Sequence, residues 1–186
     1  SGHPILKIKL GGPGDAGRIR AVHSAAPNCR IIVDANEAWT TETLVENMLV
    51  CADVGVSLIE QPLPAGQDEA LAHVPHPVPV CADESAHTSE SVAELKARYD
   101  FINVKLDKTG GLTEAMKLVE RSKSEGFGVM MGCMVGSSLA MAPAILPAQL
   151  ATFVDLDAPL LLARDRPHAL HYANSVIAPP HPNLWG

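Results

Sequence analysis

Lys105 is the residue whose sequence setting most strongly suggests chemistry. It lies in the stretch FINVKLDKTGG (residues 101–111), where the apolar residues around it predict a buried strand. A lysine ammonium is costly to bury unless another group pairs with it or uses it. We therefore expect this amine to have a partner or a function.

Charged and polar side chains recur near the carboxyl ends of six of the seven predicted strands. Steps of 22 to 26 residues lead from Lys9 to four further charged residues in turn: Asp34, Glu60, Asp83 and Lys105. Each step is about the length of one strand and one helix. A single acid at a strand end usually faces solvent or caps a helix, but a repeated pattern predicts a shared site. The residues concerned are Lys7, Lys9, Asp34, Asn36, Glu60, Asp83, Glu84, Lys105, Asp107, Asp155 and Asp157.

Three carboxylates from consecutive predicted strands, Asp34, Glu60 and Asp83, form a set of oxygen donors. Carboxylate oxygens are hard ligands, and they select Mg²⁺ or a related cation rather than zinc. Lys9 precedes these strands and Lys105 follows them. A closed barrel would therefore place the two amines on opposing sides of the metal.

Two amines beside one bound substrate carboxylate predict proton transfer at its α-carbon. The metal would lower the free energy of the enediolate that forms when the α-proton leaves. One lysine would remove the proton and the other would return it from the opposite face, which inverts the carbon. One amine must be neutral near pH 7, and the neighbouring Lys7, the metal charge and partial burial all favour this.

The elements that must position these residues alternate between short apolar strands and amphipathic helices. The predicted strands span residues 4–10, 29–36, 56–62, 77–84, 101–107, 128–134 and 153–159. The predicted helices span 15–26, 41–54, 89–98 and 112–125, with weaker patterns over 67–74 and 137–150. This alternation is typical of a parallel sheet with helices outside, and seven repeats favour a TIM-like (β/α)7β barrel of the α/β class.

Composition excludes several classes of partner. The 186 residues predict one domain with a sizeable core, since 47% are hydrophobic. A net charge of -7 without a block of like charge, and only 4% aromatic residues, disfavour a nucleic-acid surface. The four cysteines form no CxxC pair and fit a reduced, cytoplasmic setting, and the sequence contains no stretch that predicts a signal peptide or a membrane span.

Several motifs together resemble the barrel domain of the enolase superfamily, in its muconate-lactonizing subgroup. They are KIK at 7–9, VDANEAW at 33–39, IEQPL at 59–63, ADES at 82–85 and NVKLDKTGG at 103–111. GCMVGSS at 132–138 and VDLDAP at 154–159 make the chain most similar to the dipeptide epimerases, typified by L-Ala-D/L-Glu epimerases. The resemblance covers nearly the whole chain.

The resemblance implies a role for each matching position. It implies Mg²⁺ ligands at Asp34, Glu60 and Asp83, and acid/base lysines at Lys9 and Lys105. Lys7 would assist Lys9 electrostatically and bind the substrate carboxylate. Three further residues are expected to contact these groups and hold them in position: Asn36, Glu84 and Asp107. Glu84 or Asp107 could do so by pairing with a lysine.

The resemblance also implies that Asp155 and Asp157 hold the α-ammonium group of a dipeptide. Two carboxylates on one strand face suit a cation. The alternative for Asp157 is an N-cap or a polar loop residue before Pro159.

The family's capping domain and its first barrel strand are not visible in the sequence. Residues 4–186 are therefore expected to form an incomplete barrel, and residues 1–3 resemble a cloning remnant. An open sheet has edges that favour association. We expect a fragment, a homo-oligomer, or association with a missing N-terminal segment.

The predicted function is Mg²⁺-dependent epimerization of a small dipeptide, with Ala-Glu from peptidoglycan recycling as the family's default substrate. One alternative is an N-acylamino-acid racemase or a cycloisomerase of the same superfamily, whose substrates carry no free ammonium for Asp155 and Asp157. The other is an inactive barrel fragment that needs its missing N-terminal part.

Overall fold

The computed structural model describes residues 3–186, so most of the segment predicted to be a cloning remnant lies outside the described residues. The chain divides into two compact units. The first contains the residues up to Ser85 together with Glu94–Phe101, and the second contains Ala86–Ala93 and Ile102–Gly186. No helix in the described part of the chain has the length and hydropathy needed to span a membrane.

All seven predicted strands form, and a short hairpin follows them. The strands are β1 (Ile5–Lys9), β2 (Arg30–Asp34), β3 (Leu58–Glu60), β4 (Val80–Ala82), β5 (Phe101–Val104), β6 (Gly128–Met131), β7 (Phe153–Val154), β8 (Tyr172–Ala173) and β9 (Val176–Ile177). The α-helices are α1 (Asp15–Ala25), α2 (Thr41–Asp53), α3 (Leu106–Thr109), α4 (Leu112–Ser124), α5 (Ser138–Met141) and α6 (Ile145–Ala148). The antiparallel hairpin β8–β9 was not predicted.

The three long helices are confirmed, whereas the other predicted helices are shorter. Helices α1, α2 and α4 begin at the predicted residues and end one residue early. The segments predicted as helices over 89–98 and 67–74 form only the 3-10 turns Val92–Leu95 and Glu69–His73. The segment 137–150 breaks into α5, the turn Ala142–Ala144 and α6, because Pro143 and Pro147 have no amide hydrogen to donate.

In the first unit, strands β1 to β4 lie in sequence order and pair in parallel. The register aligns Lys9 with Asp34, Asp34 with Glu60, and Glu60 with Cys81. Side chains in register on parallel neighbours project to the same side of a sheet. Strand pairing therefore brings the polar residues at these carboxyl ends together.

In the second unit, β5, β6 and β7 are neighbours in that order. The Gly132 N–H donates to the Val104 carbonyl at 2.9 Å, next to the end of β5. Strand β5 is shorter than predicted, because the chain turns into α3 at Leu106. Lys105 is thus the residue between β5 and α3, with an extended backbone (φ -132, ψ 130), and it is buried.

Gly132 is required where β6 ends beside β5. A Cβ at this position would lie 2.6 Å from Oδ1 and 2.8 Å from Nδ2 of Asn103, which is fully buried. We therefore expect Gly132→Ala to lower the free energy of unfolding by about 1–3 kcal/mol, as overpacking of a core does. Urea denaturation of the variant and the parent protein would measure this loss.

The matched control is Gly17→Ala in the exposed part of α1, where an added Cβ meets no atom within 4 Å. Alanine favours a helix over glycine by up to about 1 kcal/mol, so this variant should be neutral or more stable. Equal stabilities of the two variants would contradict the packing argument.

Candidate active site

The first unit contains a cluster of lysines and buried carboxylates at the carboxyl ends of β1 to β3. Asp34 and Glu60 are fully buried. The Lys7 Nζ lies 2.7 Å from Glu60 Oε2 and 3.1 Å from Asp34 Oδ2. The Lys9 Nζ lies 2.6 Å from the same Asp34 oxygen. Both lysines of the KIK motif therefore neutralise one pair of buried carboxylates.

Asp83 adds a third negative charge to this cluster. Its side chain is 1% exposed, and its charge acts on Glu60 and Glu84. Burial raises the pKa of Glu60 above its usual range, the charges of Asp34 and Asp83 raise it further, and Lys7 opposes the shift. Burial and the Asp83 charge also raise the pKa of Glu84. The cluster thus concentrates negative charge that cations must offset.

The donor chemistry of Asp34, Glu60 and Asp83 fits a hard divalent cation. They supply only carboxylate oxygens, they are buried, and they repel one another electrostatically. Within residues 3–186, no three Asp, Glu, His or Cys side chains are arranged as a ready metal site. The amines of Lys7 and Lys9 instead hold the oxygens of Asp34 and Glu60.

Asn36 links Lys9 to the acidic residues. The Lys9 Nζ donates to Asn36 Oδ1 at 3.2 Å, and Asn36 Nδ2 donates to Glu84 Oε1 at 3.4 Å. The Asn36 backbone N–H also donates to Asp34 Oδ1 at 3.0 Å. Asn36 and Glu37, the second and third residues after Asp34, have positive φ values of 42° and 65°, a conformation that residues with a Cβ rarely adopt. The structure therefore places Asn36 beside the cluster, and it pairs Glu84 with Asn36.

In the second unit, the charges of Lys105, Asp155 and Asp157 each act on Cys133. Burial raises the pKa of the Cys133 thiol to about 11, the charges of Asp155 and Asp157 add to this shift, and Lys105 opposes it. The Cys133 Sγ donates to the Asp155 carbonyl at 3.3 Å. Charges of both signs thus act on one thiol.

The two aspartates differ in exposure. Asp155 is half-buried, whereas Asp157 is exposed and precedes the 3-10 turn Ala158–Leu161. The Asp157 carboxylate makes no capping hydrogen bond with that turn. A capping role therefore does not account for this side chain.

Asp107 is not brought to a lysine. It is exposed in the first turn of α3, and within the described part of the chain it makes no hydrogen bond or ion pair. Its predicted supporting role has no contact in the structure that would carry it.

Sequence reasoning missed Gln61, which lies between Glu60 and Pro62. Its side chain is fully buried and hydrogen-bonded to the segment that carries Asp83. The available signal was an uncharged polar residue inside an apolar strand end, directly after a predicted ligand.

Known proteins are similar to this chain in sequence and in fold. Residues 1–181 match the family described as enolase C-terminal domain-like. The chain is 50% identical to an N-acetyl-D-glutamate racemase of Pseudoalteromonas sp, over 98% of this chain and 58% of that protein. It is 45% identical to the L-Ala-D/L-Glu epimerase of Escherichia coli K12, over 95% of this chain and 55% of that protein.

A solved structure from Agrobacterium tumefaciens matches with a TM-score of 0.97 and 54% identity, over 98% of this chain and 56% of that chain. It is described as an enolase family member with homology to dipeptide epimerases, with bound sodium and L-Ala-L-Glu. This likeness confirms the predicted α/β class and the incomplete TIM-type barrel domain. The chain spans little more than half the length of the proteins it matches.

Proposed function

This chain belongs to the family of enolase C-terminal domain-like proteins, and we propose that it carries the catalytic residues of a Mg²⁺-dependent dipeptide epimerase. The proposed reaction inverts the α-carbon of the C-terminal residue of a small dipeptide of the L-Ala-D/L-Glu type. The observation that carries the proposal is the register at the strand ends, where Lys9 and Glu60 flank the buried Asp34. A lysine base and metal-binding carboxylates are the groups that such a reaction needs.

The proposed reaction divides the site residues by role. Asp34, Glu60 and Asp83 would hold Mg²⁺, which when bound supplies positive charge that stabilises negative charge on the substrate carboxylate. Lys9 and Lys105 would move the proton: one takes it from the α-carbon, and the other returns it on the opposite face. Lys7 would bind the substrate carboxylate and assist Lys9.

Asp155 and Asp157 would hold the α-ammonium of the dipeptide. The bound L-Ala-L-Glu in the structure from Agrobacterium tumefaciens and the 45% identity to the epimerase of Escherichia coli support this substrate class. Such a dipeptide would come from peptidoglycan recycling. We place the reaction in the cytoplasm, because all four cysteines are free thiols.

Racemization of an N-acylated amino acid is the second candidate. The 50% identity to the N-acetyl-D-glutamate racemase of Pseudoalteromonas sp favours it. That substrate has no ammonium group, so it would not use the charges of Asp155 and Asp157. The two candidates therefore differ in how they depend on these carboxylates.

Asp157→Ala in the complete gene product separates the two candidates. A charged hydrogen bond contributes about 1.5–3 kcal/mol, so we expect kcat/KM for L-Ala-L-Glu to fall by about 10-fold to 100-fold. Turnover of N-acetylglutamate should change much less. Polarimetric assays with both substrates would measure the two effects.

Glu120→Ala, at an exposed position of α4, controls for the loss of a carboxylate elsewhere in the same unit. It should leave both activities close to those of the parent protein. If the parent racemizes only N-acetylglutamate, and Asp157→Ala leaves that activity intact, the dipeptide proposal is wrong and the second candidate stands.

A further inference from the structure

Gln61 joins the end of β3 to the segment after β4. Its side chain is fully buried, and its Oε1 accepts hydrogen bonds from the backbone N–H groups of Asp83 at 2.8 Å and Ser85 at 3.1 Å. Gln61 directly follows Glu60 in the chain. One side-chain amide therefore connects the backbones that carry Glu60 and Asp83.

The amide nitrogen of Gln61 is equally well satisfied. Three acceptors lie within hydrogen-bond distance of Nε2: the Leu63 carbonyl at 2.8 Å, Ser85 Oγ at 2.9 Å and Tyr99 Oη at 2.9 Å. An amide has two N–H groups, so both have acceptors. Hydrogen bonds to both the oxygen and the nitrogen of the Gln61 amide therefore hold the side chain in place.

A buried ionic group anchors this arrangement. The Asp68 carboxylate is fully buried and accepts hydrogen bonds from Ser85 Oγ at 2.6 Å, from Tyr99 Oη and from Arg98 Nη1. Burial raises the pKa of Asp68, but the hydrogen bonds from Ser85 and Tyr99 and the Arg98 charge outweigh it and hold the pKa below its usual range. Ser85 and Tyr99, the partners of Gln61, are thus fixed by a charged group.

The backbone of Gln61 supports the same interpretation. Its φ is 33°, a left-handed conformation that a residue with a Cβ rarely adopts. Such strain persists only where surrounding contacts outweigh its cost, and it occurs often at functional sites. Here the side-chain hydrogen bonds provide those contacts.

We propose that Gln61 is a positioning residue, whose side chain fixes Asp83 relative to Glu60 so that both carboxylates can bind one metal ion. The inference rests on the proposed function, because it assumes that Asp83 and Glu60 are metal ligands. Groups that orient metal ligands typically contribute a factor of about 10 to 100 in metal affinity. Gln61 would exert this effect through the backbone of Asp83, without touching the metal or the substrate.

Gln61→Met in the complete gene product tests the inference. Methionine has a similar length but leaves the buried N–H groups of Asp83 and Ser85 without their acceptor. Calorimetric titration with Mg²⁺ alone should give an affinity about 10-fold or more below that of the parent. The thermal midpoint of the metal-free protein is measured alongside it.

Tyr99→Phe is the matched control, because it removes a buried partner of Gln61 Nε2 and leaves the bond to Asp83 in place. It should lower the thermal midpoint, but it should change the Mg²⁺ affinity much less than Gln61→Met does. Equal losses of Mg²⁺ affinity in the two variants, or no loss in Gln61→Met, would overturn the inference in favour of a purely structural role.

Gln61→Glu keeps the question testable if Gln61→Met does not fold. A glutamate side chain keeps an oxygen that can take the place of Gln61 Oε1 and accept from Asp83 and Ser85, so the Mg²⁺ affinity should fall by less than about 10-fold. A 10-fold loss in this variant would overturn the inference. A parent protein that binds Mg²⁺ but does not epimerize L-Ala-L-Glu would refute the proposed function alone, and one that binds no Mg²⁺ would overturn both.

Discussion

Replacement of Lys105 or Lys9 by alanine is expected to abolish epimerization. Each variant should still exchange the α-proton of one of the two epimers with solvent, but not that of the other. If one lysine takes the α-proton and the other returns it, each variant loses proton exchange on one face of the carbon. General acid–base groups contribute about 10²-fold to 10⁴-fold, so net epimerization should fall by at least this range in both variants. Proton NMR in D₂O, starting separately from L-Ala-L-Glu and L-Ala-D-Glu, would follow deuterium uptake at the C-terminal α-carbon.

The structure supports different environments for these two amines. Lys105 is buried at the start of α3, and its charge acts on Cys133, as do the charges of Asp155 and Asp157. The Lys9 side chain is 62% exposed and contacts Asp34 and Asn36. Alanine at Lys105 therefore removes a buried side chain together with its amine, whereas alanine at Lys9 removes a largely exposed one.

Lys117→Ala is the control for the loss of a lysine. Its side chain is 64% exposed on α4, and its closest carboxylate oxygen, on Glu114, lies 3.7 Å away. Exposed ion pairs of this kind contribute little to stability, so this variant should behave as the parent does. Unchanged epimerization in both Lys9→Ala and Lys105→Ala would rule out the two-lysine scheme.

Asp34→Asn is expected to have the second large effect, on Mg²⁺ binding. Asp34 Oδ2 is the common partner of Lys7 and Lys9, and the residue is fully buried between Lys9 and Glu60 in the strand register. The variant removes a negative charge from the proposed metal ligands. We expect the Mg²⁺ affinity to fall by about 100-fold or more, which exceeds the factor of about 10 to 100 expected when a group that orients a ligand is lost. Epimerization should be lost together with Mg²⁺ binding.

Two measurements distinguish loss of a ligand from loss of the fold. Calorimetric titration gives the Mg²⁺ affinity, and thermal denaturation with and without Mg²⁺ gives the stabilisation that the bound ion provides. Asp53→Asn is the matched control, since Asp53 pairs with Arg20 at the surface and is 62% exposed. If Mg²⁺ stabilises Asp34→Asn as much as the parent, Asp34 is not a ligand.

The positions of three candidate site residues could be predicted because they follow the repeat of one strand and one helix. Lys9, Asp34 and Glu60 are separated by one strand and one helix each, and parallel pairing in sequence order makes them direct neighbours. The long helices were also predictable, since α1, α2 and α4 each bury part of a 3.6-residue pattern. Even so, the apolar residues of α2 do not all face the core, since Leu44 and Met48 are buried whereas Val45 and Leu49 are exposed.

The supporting contacts could not be predicted, because their partners are distant in sequence. Gln61 reaches Ser85 and Tyr99, which are 24 and 38 positions away. Glu114 accepts hydrogen bonds from the backbone N–H and the hydroxyl of Ser89, 25 positions away. Ser89 begins the segment 89–98, which was predicted to be helical and forms only a short turn. Local periodicity carries no information about such pairs.

The sequence by itself determined the order of strands and long helices, the family, and the set of lysines and carboxylates, because these follow from local patterns and from motifs. Only the tertiary structure decided which charges meet. It paired Lys7 with both Asp34 and Glu60, left Asp107 exposed, and buried Gln61 against Asp83. The physical reason is that a hydrogen bond or ion pair acts over a few ångströms, and only folding brings residues that are more than 20 positions apart in the chain within that distance.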